Sequence, residues 1–192
     1  MSKITRIDAG RRLLTRASDP LERRTLRLAQ RLLRLRAPIV WLCATAGSGK
    51  TRLLEHLRPA LTDRGYGLLD DPTPSTLERE LNSVTEGVPG SRRRLLIASR
   101  PTSAAALLLL KRRAYGHVEA LVDAELFVRI EDTRAGEEGL LAATGGWPWL
   151  VDAALHGREA AVRALLPEFL EREVLPELSE EALAVLLAAV SM

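Results

Sequence analysis

The sequence predicts an α/β fold, a short mainly parallel sheet followed by a small helical subdomain, and three observations predict it. Short apolar runs of strand type recur at residues 38–43, 68–69, 95–98 and 125–130. Segments of helical periodicity separate them, an alternation that favours parallel strands joined by crossover helices. Everything after Asp132 is helical in character, punctuated by Gly145-Gly-Trp-Pro148, Pro167 and Pro176.

Taken in order, residues 1–19 read as a polar, flexible arm. From Pro20 to Arg36, apolar residues at 21, 26, 28, 29, 32, 33 and 35 alternate with arginines, the pattern of a basic amphipathic helix. Pro38 stops that helix, and an apolar strand runs to Cys43. Ala44-Thr-Ala-Gly-Ser-Gly-Lys-Thr51 then opens a helix with Leu53, Leu54, Leu57 and Leu61 on one face; Pro59 should kink or shorten it. Residues 63–67 are turn material, after which Leu68-Leu69 meets Asp70-Asp71. Ser75-Thr-Leu-Glu78 matches a capping box, which starts a helix running to about Val84. Val88-Pro-Gly-Ser91 breaks the chain before Leu95-Leu-Ile-Ala98, and that run ends in Ser99-Arg100-Pro101. Residues 104–114 are helical by composition, with Lys111, Arg112 and Arg113 at the negative end of the helix. Residues 125–130 alternate as a strand.

At 192 residues the chain has the size of one domain, and 46% apolar with 28% charged residues suffices for a buried core. Its longest apolar runs fall short of the ~20 residues that cross a bilayer, and no apolar signal segment follows Met1. No membrane association and a cytoplasmic location are therefore expected. One cysteine, Cys43, excludes a disulfide scaffold, and His56, His117 and His156 lack paired-ligand spacing. The net charge of +3 divides into +8 over residues 1–36, +5 over 37–116 and −10 over 117–192. A basic front and an acidic rear suit a nucleic-acid face, self-complementary packing or solvated helix surfaces alike.

The chemistry concentrates in Ala44-x-x-x-x-Gly49-Lys50-Thr51, a Walker A pattern with alanine first. Gly47 and Gly49 allow positive φ, so the backbone can approach an anion unobstructed. The amides from Ala46 through Gly47, Ser48, Gly49, Lys50, Thr51 and Arg52 can then form a nest at a helix N-terminus. Lys50 can reach the β- and γ-phosphates, and Thr51 supplies a hydroxyl to Mg²⁺. An apolar strand before the motif and an amphipathic helix after it supply the context it needs, and the fold class becomes a three-layer P-loop NTPase. Asp70 and Asp71 end a neighbouring apolar run, where one carboxylate can hold a metal ion and the other can orient water. They can equally be a turn leading into Pro72. Arg100 ends another apolar run and can sense a terminal phosphate.

Three segments stand in order: Ala44-Thr-Ala-Gly-Ser-Gly-Lys-Thr-Arg-Leu-Leu54, Leu95-Leu-Ile-Ala-Ser-Arg-Pro101 and Ala143-Thr-Gly-Gly-Trp-Pro148. Together they resemble the nucleotide-binding module of the MalT-type STAND ATPases, the large LuxR-family transcriptional regulators, over roughly residues 25–190. The resemblance implies that Lys50 and Thr51 bind phosphate and Mg²⁺ and that Asp70 and Asp71 are the Walker B pair. It implies that Arg100 is the first sensor and that Gly146-Trp147-Pro148 is a lid motif near the adenine. Read from its residues alone, that last motif is a helix-breaking turn with buried tryptophans. Thr45 and Arg52 depart from the family's usual proline and threonine. Only eighteen residues separate Thr51 from Asp70, so either a strand and helix are missing or the Asp70-Asp71 strand is the earlier one and Walker B is lost.

The expectation is an arm (1–19), a nucleotide-binding domain (20–131) and a helical lid (132–192). Its function would be an ATP/ADP- and Mg²⁺-dependent regulatory switch with slow or no hydrolysis. Oligomerisation, or regulatory domains absent from this chain, would complete it, and direct DNA binding within this chain is not expected. The rival readings are a degenerate scaffold without turnover, a small-molecule kinase, and a nucleic-acid module using Arg23, Arg24, Arg27 and Arg31.

Overall fold

A computed structural model describes residues 18–85, 94–177 and 180. The expected break at 88–91, the arm up to residue 17 and nearly all of the chain beyond 177 lie outside the described residues. The elements are α1 (Pro20–Arg34), β1 (Ile39–Cys43), α2 (Lys50–Thr62), β2 (Tyr66–Asp70), α3 (Pro74–Thr85), β3 (Arg94–Ser99), α4 (Ala104–Ala114), β4 (Val118–Val122) and α5 (Asp123–Leu126). After a 3₁₀ turn (Ile130–Asp132) come α6 (Glu138–Thr144), α7 (Pro148–Leu155) and α8 (Glu159–Phe169), which continues into a π-helical turn (Leu170–Val174).

The four strands form one parallel sheet in the order β2-β3-β1-β4. The chain leaves β1 in one direction and returns from β2 through β3 to β4 in the other. Because parallel crossovers are right-handed, that reversal sends α2 to one face and α3 and α4 to the opposite face. The cores confirm three layers. Val40, Leu42, Leu96 and Ala98 pack with Leu28 and Leu32 of α1 and Leu53, Leu54, Leu57 and Leu61 of α2. Ile39, Trp41, Leu95 and Ile97 meet Leu77 and Leu81 of α3 and Ala105 and Leu109 of α4. A third cluster joins Leu21 of α1 to Val128 and Val151.

Several expectations need correction. The fourth strand is Val118–Val122, paired with β1 from Ile39↔Val118 to Cys43↔Val122, and not 125–130. Asp123 and Glu125 end it: the Asp123 carboxylate accepts the Thr45 amide at 2.9 Å, and the Glu125 carboxylate accepts the Val122 amide at 3.0 Å. The alternation over 125–130 arises because Leu126 and Val128 enter different apolar clusters along a partly extended link. The first helix ends at Arg34, with Leu35 already extended at φ −64° and ψ 139°. Of the two effects expected of Pro59, shortening does not occur, since α2 runs on to Thr62. Tyr66 and Gly67 belong to β2 rather than to a turn. Finally, α3 begins at Pro74, so the cap is Thr73, whose hydroxyl accepts the Thr76 amide at 3.3 Å, and not the Ser75–Glu78 box.

Part of the charge asymmetry is met internally. The Arg23 guanidinium pairs with Glu137 and donates to the Asp132 carbonyl at 2.6 Å. Arg27 binds the buried Asp132 carboxylate at 2.9 Å, and Arg31 pairs with Glu125. This basic stripe of α1 is the seam onto which the acidic rear of the chain docks. Among the described residues, no helix is long and apolar enough to cross a membrane.

Candidate functional site

Open parallel sheets bind ligands outside the carboxyl ends of their strands, where the strand order reverses. There the segment after β1 curls between β1 and α2, with Gly47 at φ 74° and Gly49 at φ 75°. Its polar groups are sorted. The Ala44 and Thr45 carbonyls accept from Lys50 Nζ at 2.6 and 2.8 Å. The Ala46 carbonyl accepts from the Trp147 indole at 3.2 Å, and the Gly47 carbonyl from the Trp149 amide at 3.2 Å. The Ser48 carbonyl accepts from Arg24 at 2.7 Å, and the Gly49 carbonyl from the Leu53 amide at 3.0 Å. Six consecutive carbonyls are thus held by protein donors. The amides of Ala46, Gly47, Ser48 and Gly49 donate to no protein acceptor among the described residues. A run of donors at a helix N-terminus is an anion site by its electrostatics.

Ala46, Gly47 and Gly49 line a cavity of about 860 Å³, and the other sequence-predicted residues converge on it. Lys50, Thr51 and Arg52 border it from α2, Asp70 and Asp71 from the end of β2, Arg100 from the end of β3 and Pro148 from the start of α7. Ser48 does not line it: its side chain is buried, and its hydroxyl donates to the Thr45 carbonyl at 2.8 Å. Arg52 turns away from the loop and binds Asp152 of α7 at 2.8 Å. The oxygens of Thr51, Asp70 and Asp71 suit a hard cation that keeps water and shares a phosphate ligand. No cluster of three acidic, histidine or cysteine side chains among the described residues could hold a metal by itself. Asp71 adopts φ 42°, a left-handed conformation that aspartate tolerates better than most residues.

The strand order clarifies the short spacing before Asp70. β3 lies between β1 and β2, so the Asp70–Asp71 turn stands two strands from the loop and Arg100 emerges between them. The backbone closes this edge, with Ala44 N–H donating to the Ser99 carbonyl at 3.3 Å and Asp71 N–H to the Ala98 carbonyl at 2.8 Å.

Sequence reasoning named Arg24 only as a candidate nucleic-acid contact and did not place it at this loop. Its side chain lines the cavity, yet the residue is only 3% exposed. It donates to the Leu126 and Ser48 carbonyls, and no carboxylate pairs with it among the described residues. Burial, and next the neighbouring Arg27 charge, push its pKa down to about 10, which leaves it protonated at neutral pH. A buried cation behind an array of amides adds to the attraction for an anion. A signal existed: Leu21, Arg24, Leu28 and Leu32 share one helical stripe, so this arginine stands at a core position.

The Gly146-Trp147-Pro148 turn packs on the loop itself. A Cβ on Gly47 would approach the Trp147 indole to 2.9 Å, and one on Gly49 would lie 3.5 Å from Pro148. Trp147, Trp149 and Phe169 form a cluster with ring centroids 4.5–5.9 Å apart. The tryptophans are half-buried rather than core residues.

Comparison with protein-family models, with curated proteins and with solved structures finds no match to this chain. What defines the site is its own geometry: a parallel α/β sheet with an amide-rich loop at its carboxyl edge.

Proposed function

We propose that the chain is a nucleotide-binding regulatory module, and that residues 46–51 hold the phosphates of ATP or ADP. The observation that carries this reading is the sorting of the loop, with its carbonyls occupied, the amides of Ala46, Gly47, Ser48 and Gly49 without a protein acceptor among the described residues, and Ala46, Gly47 and Gly49 bordering a cavity. In this reading Lys50 leaves the Ala44 and Thr45 carbonyls for the phosphate oxygens. Thr51 and Asp70 would hold Mg²⁺, Asp71 would orient water in any slow hydrolysis, and Arg100 would meet the terminal phosphate. The hydrogen bonds of Trp147 and Trp149 to loop carbonyls support a switch, because they give the helical part a means of sensing what the loop holds. The order of the three motifs supports a module of the MalT-type STAND kind, acting in the cytoplasm within a transcriptional regulator.

One observation favours a second reading, a scaffold without nucleotide: the Lys50 ammonium is well satisfied by its own loop. Isothermal titration separates the two. Mg·ATP should bind the wild type, and Lys50→Ala should weaken binding by about 2–3 kcal/mol, the scale of losing a charged partner. A flat wild-type trace, or equal affinities, would refute the nucleotide reading.

A further inference from the structure

The geometry points to Glu173 as the residue that relays the third phosphate of a nucleoside triphosphate to the helical segment after α8, by releasing Arg100 when that phosphate binds, a role that rests on the phosphate-loop reading above. Arg100 follows Ser99, the register partner of Cys43, and so emerges between the loop and the Asp70–Asp71 turn. A third phosphate extending beyond the loop toward those carboxylates meets this guanidinium, whereas a diphosphate ends one phosphate short. The Arg100 guanidinium is already engaged by the Glu173 carboxylate, which comes from the π-helical turn continuing α8.

The two sides of that exchange are unequal. The Arg100 and Glu173 side chains are 41% and 37% exposed, so their pairing is screened by water and weak. A terminal phosphate carries more charge and offers several oxygens to the planar guanidinium fork. Triphosphate therefore draws Arg100 off Glu173, and diphosphate leaves the pair intact. Residues 170–174 are tied down at two points, by Glu173 and by Phe169, whose ring lies 4.5 Å from that of Trp149. Losing the first tie loosens the segment while the aromatic one remains. Because coupling is reciprocal, the contact that triphosphate breaks must also lower triphosphate affinity by the same factor.

The test uses the full chain with Mg²⁺ and either ADP or a non-hydrolysable ATP analogue. By titration calorimetry, Glu173→Gln should bind the triphosphate about three- to fivefold more tightly, the range of one exposed ion pair, with ADP affinity unchanged. The gain should vanish in an Arg100→Ala background, as a double-mutant cycle requires. Hydrogen exchange in residues 170–177 of the wild type should rise with the triphosphate and not with ADP. An unchanged ratio of the two affinities, equal tightening of both, persistence of the gain without Arg100, or exchange that ignores the third phosphate overturns the role of Glu173. Lys50→Ala separates the two levels. Loss of both nucleotides in that variant with an unchanged ratio in Glu173→Gln defeats Glu173 alone. If the wild type binds neither nucleotide, or Lys50→Ala binds as the wild type does, the phosphate-loop reading falls and takes this role with it.

Discussion

Arg24 is where the residue scale is most demanding. Its guanidinium is buried against the Leu126 and Ser48 carbonyls, and a pKa pushed down to about 10 means that folding works against a charge there. Replacing it by alanine nevertheless leaves two buried carbonyls without donors. Arg24→Ala should therefore lower stability by about 2–3 kcal/mol in urea unfolding. The same variant should weaken Mg·ATP binding about tenfold or more. Arg24→Lys keeps the charge but not the fork, so it should recover part of the affinity and little of the stability. At this scale the loop was legible, because Gly47, Gly49, Lys50 and Thr51 act through local backbone geometry. Arg24 was not, because nothing besides position distinguishes it among the five arginines of a helix in which Arg23 is buried as well. Glu173 was equally hidden, since its partner lies 73 residues away.

Among the elements, α1 does most to fix the helical part in place. Asp132 lies at the centre of their seam: its carboxylate accepts from Arg27 at 2.9 Å and from the Arg129 amide at 2.9 Å, and it is 1% exposed. Asp132→Ala removes the buried acceptor of Arg27 and of the Arg129 amide, while Glu131 at 3.5 Å and the Glu125 and Phe127 carbonyls still hold Arg27, and should cost about 2–3 kcal/mol, read by denaturant unfolding. Glu137 makes the seam sensitive to acid. Burial raises its pKa, but the Arg134 amide and the Arg23 guanidinium outweigh that and hold it below the ordinary 4.5. Its contribution is thus present above pH 4.5 and lost as the pH falls through the depressed value. Tryptophan fluorescence followed from pH 6 to pH 3 should show a transition that Glu137→Gln diminishes, since the amide has no proton to gain. Elements with a long buried stripe, such as α2, were legible from periodicity. The fourth strand was not, because an edge strand of five residues is fixed by pairing with β1, which periodicity does not report.

Across the whole molecule, the opposition of a basic front and an acidic rear becomes an internal contact between α1 and the residues after β4. Composition could give the asymmetry but not its partner, which depends on how the sheet places both ends of the chain. The same placement brings the loop, the Asp70–Asp71 turn, Arg100 and the Trp147–Pro148 turn around one cavity from four separate stretches of sequence. The account as a whole depends on the amides of residues 46–51 receiving a phosphate chain. Amide proton–nitrogen NMR spectra of the wild type during titration with Mg·ATP test this most directly. The account predicts the largest downfield shifts at Gly47, Gly49, Lys50 and Thr51, as hydrogen bonds to phosphate oxygens form. Unmoved loop amides at saturating nucleotide, or shifts confined to another part of the chain, would contradict it.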